Sequence, residues 1–201
     1  IQTVIKASSF ENIPFAVFKI TGLGKTSLIR KLNQKDIELS LREKTEKDQL
    51  INRVDQICKV AYENNISVFI DAEDSWFQDF IDEVAEMMIE KYNLKNPIVY
   101  NTIQLYRHDR IQYMKNLIER SKKLKLYLGL KLVRGAYMEK EREVAASLGY
   151  QDPIHKTKKD TDNDYDSALK YCVEHLDFVS ICAGSHNENS SILLSDLMKE
   201  K

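Results

Sequence analysis

The chain has 201 residues, with 30 lysines and arginines against 31 aspartates and glutamates, a formal net charge of −1. This balance gives no electrostatic reason to expect nucleic acid or an anionic membrane surface as a partner. No apolar run approaches the ~20 residues that a membrane span needs, and three widely spaced cysteines argue against a disulfide framework or a zinc site. We expect one soluble, intracellular domain over residues 1–201, without a metal.

Short β-branched and aromatic runs alternate with longer stretches in which apolar residues recur every three or four positions. In chain order, the predicted elements are a strand at 15–20, a helix at 41–64, a strand at 67–70, a helix at 75–92, a strand at 98–102, a helix at 109–123, a strand at 126–133, helices at 138–148 and 162–175, a strand at 178–182 and a helix at 190–201. This alternation predicts βαβ units and a parallel sheet covered by helices.

Two α/β architectures fit this alternation, a doubly wound sheet and a (β/α)8 barrel. A dinucleotide-binding sheet needs a longer glycine fingerprint than Gly22-Leu23-Gly24 after its first strand. Polar residues instead follow the ends of several strands, which is where barrel enzymes place their sites, so we predict the barrel. Because the chain begins at Ile1 and only five strands are predicted, we expect an incomplete barrel that lacks its last strands and final helix.

Asp71 and Glu73 follow the strand at 67–70 and are separated by one residue. In an extended segment this spacing puts both carboxylates on one face, where they could hold a cation or fix other side chains. Alternatively, Asp71 caps the following helix, with Asp74 continuing the capping signal. The spacing leaves both interpretations open.

Lys131 lies within an otherwise apolar strand, and Gly135 follows it. A buried lysine is rare unless it is paired, so three roles remain open: a Schiff-base nucleophile, a fixed cation beside a cofactor, or a lysine neutralised by Asp71 or Glu73. Lys19 raises the same question in the first strand. Gly135 would let the backbone approach a ligand closely.

Histidines give no metal pattern, because HxH and HxxxH are absent. His186 and Asn187 follow the last strand and are expected at the same rim as the other polar residues. We expect His108, His155 and His175 to be surface residues on helices or loops.

Seven segments together resemble the proline dehydrogenase family, in that family's order. They are FKITGLG (18–24), IDAEDSW (70–76), PIVYNTIQLY (97–106), KLVRGAYMEKE (131–141), GYQDPI (149–154), TDNDY (161–165) and SHNE (185–188). KLVRGAY followed shortly by GYxDPI is highly specific. The resemblance implies a distorted (β/α)8 barrel that binds FAD at its C-terminal rim. The implied reaction, the first step of proline catabolism, oxidises L-proline to Δ1-pyrroline-5-carboxylate by hydride transfer to flavin N5, and a quinone-type acceptor then takes the electrons.

The resemblance also implies which residues contact FAD. They are Gln104, Lys131, Val133, Gly135, Ala136, Thr161, His186 and Asn187. Gln104 would hydrogen-bond the isoalloxazine edge, and Lys131 would be a fixed cation that stabilises the negative charge of a reduced flavin. Arg134 matches a position near the cofactor.

On the substrate side, the resemblance implies that Lys19 helps to bind the proline carboxylate, Asp71 orients the pocket and Tyr137 packs on the ring. The family clamps that carboxylate with paired arginines, and this chain contains no Arg-Arg pair. Since Lys19 is a poor substitute for bidentate arginine, we predict weak or no turnover by the 201-residue chain alone.

Two other functions stay open, a non-catalytic flavin-binding or interaction remnant and a barrel lyase that uses Lys131 as a Schiff base. Hydroxyproline is an alternative substrate. Family members from bacteria are cytoplasmic or loosely attached to the inner membrane, and those from eukaryotes are mitochondrial. The resemblance therefore implies one of these locations.

Overall fold

Strands and helices alternate along the whole chain. The computed structural model describes all 201 residues, and its elements are α1 (Gln2–Ser8), β1 (Phe15–Phe18), a 3-10 turn (Ile20–Gly22), α2 (Thr26–Leu32), α3 (Leu41–Glu63), β2 (Ser67–Ile70), α4 (Ser75–Tyr92), β3 (Val99–Gln104), α5 (Arg110–Leu124), β4 (Leu128–Val133), α6 (Met138–Leu148), α7 (Lys158–Val173), β5 (Val179–Gly184) and α8 (Glu188–Lys199). All five predicted strands and all six predicted helices are present.

Helices α1, α2 and the first turn of α7 were not predicted. Helices α1 and α2 have seven residues each, which is too short to show a helical period clearly. Helix α7 begins four residues earlier than expected because Thr157 and Asp160 form a capping box, in which each side chain accepts the other's backbone N–H.

The strands pair in parallel and follow one another in chain order. In the first pair Phe15 lies opposite Ser67, and in the last Leu128 lies opposite Val179. The order β1-β2-β3-β4-β5 has no reversal, whereas a doubly wound sheet reverses its order at a switch point. This arrangement is the one expected of a (β/α)8 barrel.

The chain divides into two compact units, residues 1–101 and residues 102–201. In the first unit, α3 buries one stripe of side chains at helical spacing: Leu50, Val54, Ile57, Cys58 and Ala61. In the second, the largest fully buried side chains are Tyr165, Ile103, Leu105, Met114 and Ile118. No helix in either unit is both long enough and apolar enough to span a membrane.

A polar network joins α3 to α4 in the first unit. Lys91 Nζ donates to Asp55 Oδ1 at 2.6 Å, and the Tyr92 hydroxyl donates to the same oxygen at 2.8 Å. Burial by itself would raise the pKa of Asp55, but the bonds from Lys91 and Tyr92 outweigh it and leave the pKa lowered. Burial and the bond to Asp55 raise the pKa of Tyr92 to about 12.

We expect the Asp55→Asn variant to show a flatter loss of stability in acid than the wild type. A carboxyl with a lowered folded-state pKa stabilises the fold above its unfolded pKa, ~3.9, and loses this contribution as the pH falls through the folded value. Urea unfolding at pH 6 and at successively lower pH measures this effect. Between these pH values, the free energy of unfolding of the wild type should fall by roughly 1 kcal/mol more than that of Asp55→Asn. Asp48→Asn, at an exposed position of the same helix, is the control. Parallel wild-type and Asp55→Asn curves would contradict the prediction.

Candidate active site

Polar residues at the ends of β1 and β2 form the candidate site of the first unit. The backbone N–H of Asp71 donates to the Phe18 carbonyl at 3.0 Å, which continues the pairing of the two strands. Glu73 is buried, and its carboxylate accepts the Thr21 backbone N–H at 3.0 Å and also the Thr21 hydroxyl. The turn that follows Lys19 is thereby tied to the loop that carries Asp71.

The interpretation of Asp71 as a helix cap is wrong. Helix α4 begins at Ser75, and its N-cap residue is Asp74, whose side chain makes no capping bond. The loop before α4 is held instead from inside the helix, because Gln78 Oε1 accepts the backbone N–H of Glu73 at 2.8 Å. Asp71, which is half-buried, lies three residues before this N-cap.

A buried hydrogen-bond network that links α4 to Asn101 of β3 was not predicted. Gln78 Nε2 donates to Asp82 Oδ1 at 2.9 Å, and Asn101 Nδ2 donates to the same oxygen at 2.8 Å. Gln78 and Asn101 are fully buried and Asp82 nearly so. The available signal was two polar residues four positions apart beside the apolar stripe of α4, a spacing that places them on one helix face.

Lys131 in the second unit is half-buried, not buried as its apolar neighbours suggested. Leu130 and Leu132 have no exposed surface, and alternation along β4 turns Lys131 to the opposite face. The Cα of Lys131 lies opposite that of Cys182 on β5. Burial raises the pKa of the Cys182 thiol, and the positive charge of Lys131 opposes that rise.

Gln104, the last residue of β3, carries an acceptor that the protein does not use. The side chain is 2% exposed, and its buried Oε1 has no hydrogen-bond partner. Leaving such an atom unpaired costs about 1–3 kcal/mol. A ligand N–H that reached this oxygen would recover that free energy.

A pocket of about 680 Å³ lies beside the end of β4 in the second unit. Four residues predicted to contact cofactor or substrate line it, namely Gly135, Ala136, Tyr137 and Thr161. Its lining also includes five cationic side chains and one anionic side chain, Glu139. The cationic ones are Arg134, Lys140, Arg142, Lys156 and Lys158. Three of these cations already lie against carboxylates outside the lining: Arg134 and Lys158 bind Asp162, and Arg142 Nε lies 3.4 Å from Asp152 Oδ2. Lys140 and Lys156 are not part of these pairs, and their charges suit an anionic ligand such as a phosphate.

His155, predicted to be a surface residue on a helix or loop, lies in the loop before α7 and is half-buried where it lines the pocket. Its side chain is 16% exposed, and Nε2 lies 2.8 Å from Asp164 Oδ2. His108 is exposed, as predicted. His175 is half-buried, with Nδ1 2.8 Å from the Tyr171 carbonyl oxygen.

The remaining predicted cofactor residues lie on β4 and after β5. Val133 ends β4, and its carbonyl accepts the Leu105 backbone N–H at 2.8 Å. His186 is exposed, whereas Asn187 is the N-cap of α8 and accepts the Ser190 backbone N–H through Oδ1 at 3.1 Å. The side-chain oxygen of Asn187 is therefore already used, which leaves its Nδ2 as the donor for a ligand.

The model of the family described as proline dehydrogenase matches residues 5–201. The chain belongs to the proline dehydrogenase family. It is 34% identical over 161 residues to "Proline dehydrogenase 1, mitochondrial" of Drosophila melanogaster, covering 75% of this chain and 24% of that protein. It is 32% identical over 178 residues to "Proline dehydrogenase 1, mitochondrial" of Homo sapiens, covering 85% and 30%. The chain thus spans about a quarter to a third of the length of these proline dehydrogenase relatives.

Solved structures share the fold of this member of the proline dehydrogenase family. Proline utilization A from Bdellovibrio bacteriovorus, inactivated by N-propargylglycine, superposes with a TM-score of 0.79 at 22% identity, over 92% of this chain and 18% of that chain. The D779Y mutant of the Bradyrhizobium japonicum protein gives 0.80 at 16% identity, over 98% and 20%. Together with the strand order, this likeness confirms the predicted barrel class.

Proposed function

We propose that this chain belongs to an enzyme that oxidises L-proline to Δ1-pyrroline-5-carboxylate with FAD as cofactor. The observation that carries the proposal is the family match, which runs through residues 5–201 and so includes both groups of strand-end residues. The sequence relatives from Drosophila melanogaster and Homo sapiens are named proline dehydrogenases.

The residues present fit a flavin nucleotide. The buried, unpaired Oε1 of Gln104 suits an N–H at the edge of a planar heterocycle, and the cationic lining of the 680 Å³ pocket suits phosphates. FAD, when bound, supplies the acceptor for a hydride from the carbon beside the ring nitrogen of proline. Val133, Gly135, Ala136, Thr161, His186 and Asn187 complete the proposed FAD-binding set.

The chain's own residues then have distinct tasks. Lys131 provides a positive charge at the end of β4, which favours a cofactor that gains negative charge. Lys19 attracts the substrate carboxylate, and Asp71 orients the pocket around the ring nitrogen. Tyr137 packs on the substrate ring and excludes water from it.

The remaining parts of the proposal concern the electron acceptor and the location. We propose a quinone-type acceptor, reached by loose association with a membrane. The location is then the cytoplasm or the periphery of the inner membrane in a bacterium, and the mitochondrion in a eukaryote. The mitochondrial names of the Drosophila and human relatives support the second case.

The visible spectrum of the FAD-reconstituted protein, recorded before and after anaerobic L-proline, tests this function. We expect flavin bands that bleach with L-proline and do not bleach with D-proline, which is the control. Bleaching should be slow, because no Arg-Arg pair is present to hold the substrate carboxylate. Bound flavin that L-proline leaves unchanged would support the FAD part of the proposal and would mean either a non-catalytic module or the effect of the missing carboxylate clamp. A protein without flavin, in which borohydride links a carbonyl substrate to Lys131, would favour the lyase and overturn the proposal.

A further inference from the structure

Arg134 follows β4 directly and uses all three guanidinium nitrogens for bonds within the protein. Nε donates to Asp162 Oδ1 at 2.7 Å, Nη1 to Ser185 Oγ at 2.7 Å and Nη2 to Ser190 Oγ at 2.9 Å. The side chain is 19% exposed. One planar group thus joins the end of β4, the first turns of α7 and the segment that leads into α8.

Helix α7 holds the guanidinium from a second side. The Arg134 Cζ lies 4.2 Å from the centre of the Tyr165 ring, which is fully buried. Tyr165 and Asp162 are three positions apart and so share one face of α7. The cation is therefore fixed in its position by a stacked ring and a carboxylate.

Residues 185–190, which follow β5, are held together by hydrogen bonds within the segment. Ser185 Oγ accepts the Asn187 backbone N–H at 3.0 Å, and Asn187 Oδ1 accepts the Ser190 backbone N–H. Ser190 is buried, and its hydroxyl donates to Asp166 Oδ1 at 2.5 Å. Arg134 binds Ser185 and Ser190, so it holds both ends of the segment that carries His186 and Asn187.

We propose that Arg134 is a positioning residue, which acts on the cofactor through this segment rather than by direct contact. The proposal rests on the proposed function, in which His186 and Asn187 bind FAD. An ordered segment lets these two residues bind FAD without a further loss of conformational freedom. Lysine is not an equivalent residue at this position, because a single ammonium cannot match three acceptors held in the plane of a guanidinium.

The test combines two measurements on Arg134→Ala, Arg134→Lys and Ser185→Ala. Flavin fluorescence titration measures FAD affinity, and hydrogen exchange without FAD measures protection of the Asn187 and Ser190 amides. We expect Arg134→Ala to bind FAD at least about tenfold more weakly and to lose protection at both amides. Arg134→Lys should give intermediate values. In the Arg134→Ala/Ser185→Ala double variant, the loss of FAD affinity should be smaller than the sum of the two single losses. Both single variants break the same hydrogen bond, from Arg134 Nη1 to Ser185 Oγ.

Arg53→Ala is the matched control, since Arg53 donates one bond to the Leu23 carbonyl in the first unit. It should leave FAD affinity and the hydrogen exchange of the Asn187 and Ser190 amides unchanged.

Weaker FAD binding by Arg134→Ala with unchanged hydrogen exchange would mean that Arg134 contacts FAD directly. Faster exchange with unchanged FAD affinity would mean that the order of this segment does not affect cofactor binding. Either result overturns the inference. If Arg134→Ala does not fold, FAD affinity and hydrogen exchange are measured on Arg134→Lys and Ser185→Ala instead. Absence of FAD binding by the wild type would overturn the proposed function and the cofactor part of the inference together, and only hydrogen exchange would then report on the segment.

Discussion

Replacing Gly135 with alanine is expected to destabilise the protein by about 3 kcal/mol, the combined cost of backbone strain and overpacking. Gly135 has φ +132°, a conformation that residues with a side chain rarely adopt. A Cβ on this residue would lie 2.5 Å from Cγ of Tyr106, well inside van der Waals contact. The alanine variant therefore has to move either its own backbone or the tyrosine ring.

The residue that carries this ring is buried, and its backbone is held on both sides. Tyr106 is 4% exposed, its backbone N–H donates to the Arg134 carbonyl at 2.7 Å, and its own carbonyl accepts the His155 backbone N–H at 2.7 Å. These bonds hold Tyr106 between the loop after β4 and the strand-like residues before α7. Because Tyr106 also lines the 680 Å³ pocket, the same substitution should weaken ligand binding there.

Two other glycines separate strain from overpacking. Gly149 has φ +71°, and an alanine Cβ at this position would meet no atom within 4 Å, whereas Gly22 has the same open space without a positive φ. Urea unfolding should show a loss of about 1–2 kcal/mol for Gly149→Ala and almost none for Gly22→Ala. A Gly135→Ala variant no less stable than Gly149→Ala would show that the contact with Tyr106 is relieved easily.

Replacing Thr21 with valine is expected to lower the free energy of unfolding by about 2 kcal/mol, a value typical of a hydrogen bond to a charged group. Valine keeps the shape of threonine but removes the hydroxyl that donates to the Glu73 carboxylate. Glu73 is buried, so water cannot readily replace the lost donor. One carboxylate oxygen would then keep the Thr21 backbone N–H, and the other would lose its partner.

Thr21→Ser is the matched control because it retains the hydroxyl and removes only a methyl group. Unfolding by urea should place Thr21→Ser close to the wild type and well above Thr21→Val. A Thr21→Val variant that is as stable as the wild type would contradict the prediction, because valine keeps the methyl group and removes only the hydroxyl that binds Glu73. Under the proposed function, Thr21→Val in the whole enzyme should also raise the KM for L-proline more than it lowers kcat, since the turn begins beside Lys19.

Local rules were sufficient for the strands and for the longer helices, but not for the seven-residue helices α1 and α2. The periods of two and 3.6 residues placed every strand, and β2, α4 and α6 have the predicted bounds. Such patterns depend on neighbours within a turn or two of the chain. Family resemblance added the barrel and the proline dehydrogenase assignment, through segments whose residues and order are specific. The contacts of the predicted site residues with FAD and proline stay predictions.

Only the tertiary structure decided which polar groups meet. Glu73 accepts from Thr21, 52 positions away, and Arg134 bonds Asp162, Ser185 and Ser190, 28, 51 and 56 positions away. Sequence spacing suggested that Asp71 could cap α4 and gave no reason for Gly135 beyond a ligand. The physical cause is the parallel sheet, in which a helix separates successive strands and brings distant residues to one edge. Propensity and periodicity act locally, and these partners are set by strand order and register.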